Sequence, residues 1–100
     1  MTAPNVRESK RLANVLVDER LAACVNVLGG VTSVYRWQGK TEESTEHLLL
    51  AKTTQARLPA LIRRVKALHS YTVPEIIALP ISGGSTAYLS WIKKQTNVKS

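Results

Sequence analysis

Ala23-Cys24-Val25-Asn26-Val27-Leu28-Gly29-Gly30-Val31-Thr32-Ser33-Val34-Tyr35-Arg36-Trp37-Gln38-Gly39-Lys40 is the stretch that decides the fold. Val25, Val27, Val31, Val34, Tyr35 and Trp37 are β-branched or aromatic and suit a pleated, half-buried surface. Two readings open at Gly29-Gly30. The pair is a hairpin turn between two short strands, or it marks a bulge in one long strand whose turn is Gln38-Gly39-Lys40. Thr45–Thr54 forms the next strand, with Leu48 and Leu50 on one face and Leu49 and Ala51 on the other. On the long-strand reading, about fifteen residues at ~3.3 Å each reach roughly 50 Å. A domain of this size has a radius of gyration of about 13 Å, so such a ribbon overhangs its own core. Its apolar overhang then calls for another subunit.

Working outward, Asn5 and Glu8 have the spacing of a capping box, which predicts a helix starting near Val6. Leu12, Ala13, Leu16, Val17 and Leu21 recur at helical spacing, with Arg7, Lys10, Arg11, Asp18 and Glu19 largely outside that stripe. Leu58, Leu61, Ile62, Val65, Leu68 and His69 mark a second helix, with Pro59 in its first turn. Ile76–Leu79 reads as a short buried strand. Gly83-Gly84 gives a turn, and Ser85 is the expected N-cap of a short final helix carrying Tyr88, Leu89, Trp91 and Ile92. With one strand before Pro4 the order is βαββαβ, the split βαβ arrangement of the α+β, ferredoxin-like kind.

Composition sets the outer bounds. The 100 residues make one domain, 1–100, with 44% hydrophobic and 21% charged residues, ordinary for a globular chain. No apolar run approaches the roughly 20 residues that span a bilayer, so no membrane is expected. Met1-Thr2-Ala3-Pro4-Asn5 lacks the basic and apolar regions of a secretory signal, and a cytoplasmic location is the expectation. The net charge of +7 is scattered from Arg7 to Lys99. Its one tight cluster, Arg63, Arg64 and Lys66, diverges on a helix. With no Phe and no stacking motif of the RNA-binding sheet type, no nucleic-acid partner is expected. The lone Cys24 makes no internal disulfide. Together with His47 and His69 it is too little for a closed four-ligand zinc site, so any metal must recruit carboxylates, water or another subunit.

The chain resembles the CutA family, the divalent-cation-tolerance proteins. The likeness rests on Thr2-Ala3-Pro4, Arg20-Leu21-Ala22-Ala23-Cys24-Val25-Asn26, Gly30–Lys40, Leu68-His69-Ser70-Tyr71, Pro74-Glu75-Ile76-Ile77-Ala78-Leu79-Pro80 and Tyr88-Leu89-Ser90-Trp91-Ile92, in order along nearly the whole chain. The resemblance implies a ferredoxin-like subunit, an intertwined homotrimer and kinship with the trimeric PII signalling proteins. It also implies the long bent ribbon at Gly29-Gly30. Three departures stand out. A full strand normally precedes the Thr-Ala-Pro block, and here only Met1 does, so the first strand looks truncated. Some relatives carry a copper-associated cysteine at the place of Met1. The usual His-Pro-Tyr-Glu is His69-Ser70-Tyr71-Thr72, which loosens the turn and removes a carboxylate.

His69 is the leading metal ligand, because neutral imidazole binds copper and zinc, and the resemblance associates this histidine with copper. Its plainer role is capping the helix C-terminus. Copper or another divalent cation is the expected ligand of the protein. Cys24, Glu75, Tyr71 and Lys52 are the further metal or cleft candidates, with Cys24 more readily a small hydrophobe of its strand. Lys52, near the end of an apolar strand, needs a carboxylate or an anion, and Glu75 is the expected partner, across subunits if need be. Tyr35, Trp37 and Trp91 are expected interface anchors, and His47 a packing or interface residue. Glu42 and Glu43 are read as solvated. No phosphate loop, His-Glu-x-x-His or nucleophile elbow is present, so no enzyme is expected. The rival is a PII-like trimer that takes a small anion in its inter-subunit clefts.

Overall fold

In a computed structural model describing residues 1–97, the stretch from Cys24 to Lys52 is one bent two-stranded ribbon. Strand β1 (Thr2–Ala3) comes first, then helix α1 (Val6–Asp18), strands β2 (Cys24–Trp37) and β3 (Lys40–Lys52), and helices α2 (Leu58–Leu68) and α3 (Thr86–Gln95). The ribbon turns at Gln38 and Gly39, whose φ angles of 49° and 80° are both left-handed, as a two-residue type I′ hairpin needs. Gly29-Gly30 is the bulge: the register slips between Leu28 and Val31, and Gly30 takes φ 73°. β3 begins at Lys40, not at Thr45. Lys40–Ser44 has no apolar alternation to announce a strand, yet the tight turn holds it in register with β2. The molecule's longest extent is 46 Å at a radius of gyration of 14.5 Å, so the ribbon does reach past its core.

The sheet order is β1-β3-β2 with antiparallel pairings throughout, which is the split βαβ of the expected α+β fold. The shortened first strand survives as a stub, with Thr2 opposite Leu48 and Ala3 opposite His47. Met1 lengthens the ladder: its nitrogen donates to Leu49 O at 3.0 Å and its carbonyl accepts from Leu49 N at 2.7 Å.

The last expected strand is not formed. Between Thr72 and Gly84 no backbone group is hydrogen-bonded to another backbone group of the described residues, and Ile77 and Leu79 stand 73% and 85% exposed. Met1 and Ala3 turn their backbone groups toward β3, so Thr2 alone faces the outer edge. Its carbonyl is already taken by the His69 ring at 2.8 Å. Of the Thr2 backbone groups that leaves the N–H facing outward.

Helices α1 and α2 cover one face of the sheet. Leu12 and Leu16 of α1 and Leu61 and Val65 of α2 close over Ala3 and Leu49, with Val25, Val27 and Ala51 flanking them. By strand alternation the opposite face carries Cys24, Leu28, Leu50 and Lys52, and Leu28 and Leu50 are nearly half exposed. Asn5 caps α1, its Oδ1 accepting the Glu8 N–H at 2.8 Å. The reciprocal arm of a capping box is absent, because the Glu8 carboxylate turns to the residues after α2 instead. α1 ends on Arg20, held at a left-handed φ of 59°, with the Leu21 and Ala22 N–H groups closing on Leu16 O. α3 starts as expected, Ser85 Oγ accepting the Tyr88 N–H, and buries only Ile92.

Candidate functional site

Everything at His69 follows from where α2 stops. The His69 N–H donates to Val65 O at 2.8 Å, closing the helix, and the residue's own backbone is extended. That geometry turns the imidazole inward, where its side chain has no exposed surface. Nε2 lies 2.8 Å from Thr2 O. A carbonyl only accepts, so Nε2 carries the proton in the neutral ring and donates it. Nδ1 is thereby left with its lone pair, which accepts the Tyr71 N–H at 3.0 Å. Glu8 Oε2 stands 3.4 Å from Nδ1 and also accepts the Ser70 N–H at 3.1 Å. The Tyr71 ring leans on the imidazole, centroids 4.8 Å apart. The helix is thus closed by the His69 backbone N–H, while the imidazole reaches Thr2 and Tyr71 in place of the last carbonyls of α2, and both ring nitrogens are occupied. A metal ion reaches this imidazole only by displacing the Tyr71 amide from Nδ1.

Beside this network lies a cleft of about 700 Å³, between the 70–75 turn and the outer half of the ribbon. Tyr35, Trp37 and Tyr71 wall it, and Glu46 and Glu75 bring their carboxylates to it. Tyr71 donates its hydroxyl proton to Glu46 Oε2 at 2.9 Å. Burial, and then that bond to a carboxylate, push the Tyr71 phenol up to about 12. Glu75 faces the Met1 nitrogen at 3.5 Å.

The remaining candidates are dispersed. Lys52 is the cross-strand partner of Cys24 at the far end of the ribbon, so within the chain it does not meet Glu75. This removes the expected cation from the cleft. Cys24 is half-buried with a free thiol. Tyr35 and Trp37 stand exposed on the outer ribbon, while Trp91 rests against Tyr88 on α3 with centroids 5.5 Å apart. The His47 ring fills the notch left by Gly29, where a Cβ would come within 3.1 Å of Nε2. Its Nδ1 is buried with no partner among the described residues. Among those residues no group of three or more His, Cys, Asp or Glu side chains is gathered as a metal site.

Three participants escaped the sequence. Glu8 was fully accounted for as a capping residue, and Thr2 acts through its backbone. Glu46 carried one faint signal, a carboxylate next along the strand face from Leu48 and Leu50.

Comparison with known proteins bears on the whole of this arrangement. Residues 1–95 match the family model described as CutA1 divalent ion tolerance protein. The chain is 54% identical over 96 residues to the divalent-cation tolerance protein CutA of Thermus thermophilus, covering 96% of this chain and 93% of that one. The solved structure of the Thermus protein superposes with a TM-score of 0.94. A chloroplastic CutA of Arabidopsis thaliana is 52% identical, and there the chain spans about half (53%) of the relative's length. A solved structure named for a periplasmic divalent cation tolerance protein CutA of Archaeoglobus fulgidus is 40% identical, covers 96% of this chain and 93% of that one, and has a TM-score of 0.93. None of the described helices is long and apolar enough to cross a membrane. The stub of a first strand, the bulged ribbon and the His69 turn thus sit in a frame shared across bacterial, plant and archaeal relatives, and the chain belongs to the CutA1 divalent ion tolerance family.

Proposed function

We propose that this chain acts in divalent-ion tolerance as a cytoplasmic homotrimer that binds copper or another divalent cation and catalyses no reaction. One observation carries the assembly: the segment 72–84 presents both unpaired backbone and the exposed side chains of Val73, Ile77, Leu79 and Ile81. A strand with no partner in its own chain is completed most economically by a copy of the same chain. The open sheet face with Leu28 and Leu50 supports the same reading, and Trp91, Trp37 and Tyr35 are its proposed anchors. The number three rests on the family resemblance.

For the cation, the geometry favours a weak two-donor site, His69 Nδ1 with Glu8 Oε2, which exists only when the Tyr71 N–H lets go. Water or a second copy must supply further donors. Cys24 and Lys52, side by side at the ribbon's end, lie apart from this pair.

Light scattering on the eluting protein tests the assembly, with three times the subunit mass expected and a shift toward monomer in Ile77→Lys. A compact monomer at every concentration would sink it. Calorimetric titration with Cu(II) and Zn(II) tests the site. Saturable weak binding, lost in His69→Ala and weakened in Glu8→Gln with the assembly intact, is expected. Binding unchanged in both variants would leave the His69 ring its structural bonds to Thr2 and Tyr71 alone.

A further inference from the structure

The charge that is scattered along the sequence is gathered by the fold. The ribbon from Cys24 to Lys52 carries Arg36, Lys40 and Lys52 against Glu42, Glu43 and Glu46. The whole excess of +7 therefore lies outside it. α2 and α3 contain no Asp or Glu at all.

Three helix ends meet at the base of the ribbon, away from the Gln38-Gly39 turn. The loop after α1 is tied there to the end of β3 and the loop beyond it. The Ala23 N–H donates to Lys52 O at 2.8 Å, and Thr53 Oγ1 donates to Leu21 O at 2.7 Å. Arg57 Nε donates to Arg20 O at 3.3 Å, and Arg20 Nη1 donates to Gln95 O at 3.3 Å. Guanidinium groups thus lace the end of α1, the start of α2 and the end of α3. Their acceptors are neutral carbonyls, and a guanidinium has further N–H groups to offer. Among the described residues the arginine that holds a carboxylate is Arg64, whose fork grips Glu19 at 2.8 and 2.9 Å.

The last turn of α3 adds Lys93 and Lys94, both exposed. By helical spacing Lys94 stands opposite the buried Ile92, and Lys93 lies on the flank away from Trp91. Against these cations stands Asp18 at the end of α1, which no ion pair ties to any of them. The ends of α1 and α2 lie on the helical side of the sheet. The face with Leu28 and Leu50, which a second copy is proposed to cover, is the opposite one.

Arginine forks suit phosphate oxygens, and lysines meet them as point charges. Because the cations come from three helix ends, one phosphate reaches few of them, while a flexible row of phosphates reaches each in turn. Trp91 and Tyr88 stack on each other on the far flank of α3, so no ring stands among these cations for a base.

We propose that this basic pole binds linear inorganic polyphosphate, laid from Arg57 and Arg20 to Lys94 and Lys93. The site is independent of the His69–Glu8 pair.

Fluorescence anisotropy of a labelled polyphosphate chain, titrated with the full chain in its solution assembly, tests it. Saturable binding that weakens as salt is raised is expected. Orthophosphate at equal phosphate concentration does not compete, and charge-matched oligothymidylate and polyglutamate compete less well than unlabelled polyphosphate. The double variant Lys93→Gln/Lys94→Gln lowers affinity by about tenfold or more. Arg7→Gln/Lys10→Gln removes the same charge from the far end of α1 and leaves affinity within about twofold. Absence of saturation would overturn the proposal. Equal losses in the two double variants would do the same, because they would show attraction to net charge without a site. Better competition by oligothymidylate or polyglutamate would assign the pole to another polyanion. Dissociation of the assembly in Lys93→Gln/Lys94→Gln would show that a second copy already covers these lysines, and would also end it.

Discussion

Tyr71 shows how one side chain serves two neighbours. Its N–H holds His69 Nδ1 and its hydroxyl holds Glu46, so it joins the helix-terminal network to the cleft. Burial first, and the Glu46 carboxylate second, raise its phenol from 10.0 to about 12. The fold therefore favours the neutral phenol. The resulting stability is present in full below pH 10.0, and it is lost as pH rises through about 12. Thermal melts across that window are expected to fall more steeply for the natural chain than for Tyr71→Phe. Equal slopes would mean that the Glu46 bond does not persist in solution. At neutral pH the same substitution is expected to cost about 1 kcal/mol, the net worth of one such hydrogen bond. That α2 ends at His69 was legible in the sequence, since the apolar helical stripe stops there. The occupation of its ring was not, because the Thr2 carbonyl comes from 67 residues away and a backbone acceptor leaves no mark in composition.

Among the elements, the ribbon is the most fully specified by local sequence. Gln38-Gly39 sets the turn, and alternation from Cys24 to Leu28 sets which face meets the helices. The two glycines of its bulge do different jobs. Gly30 supplies a left-handed φ with open space around it, whereas Gly29 makes room for the His47 ring. Gly30→Ala is thus expected to cost about 1–2 kcal/mol through the backbone alone. Gly29→Ala acts through contact with His47, so His47→Ala should relieve Gly29→Ala and leave Gly30→Ala as it was. Urea unfolding of the two double variants measures this directly. Relief of both, or of neither, would show the division to be wrong. Ile76–Leu79 marks where local reading stops. Its branched apolar residues describe a strand, but a strand exists only where a partner edge is engaged, and among the described residues none pairs with it.

On the scale of the whole molecule, helices gather on one face and the ribbon runs out beyond them, leaving a sheet face and a long apolar segment without cover. The overhang was legible only on the long-strand reading of Gly29-Gly30, which the family resemblance selected and the register of the ribbon bears out. The cleft was not. It forms where the turn after α2 meets the outer ribbon, and no spacing rule links Tyr71 to Glu46.

The stub at the N-terminus also fixes an order of events in time. Around the Gln38-Gly39 turn, β2 and β3 zip through short loops, whereas Met1 must find Leu49 across 48 positions of chain. Closing that longer loop costs more entropy before any contact rewards it. The hairpin therefore belongs to the folding nucleus and β1 docks late. Refolding should slow in Gly39→Ala, which strains the turn at φ 80°. Ala3→Gly, in a fully buried position of β1, should instead hasten unfolding and leave refolding nearly untouched. Stopped-flow traces at one fixed subunit concentration separate the two limbs, and a slowed refolding limb in Ala3→Gly would reverse the order. Until β1 docks, the lane beside β3 lies open, and a strand from another newly made chain competes for it on equal terms.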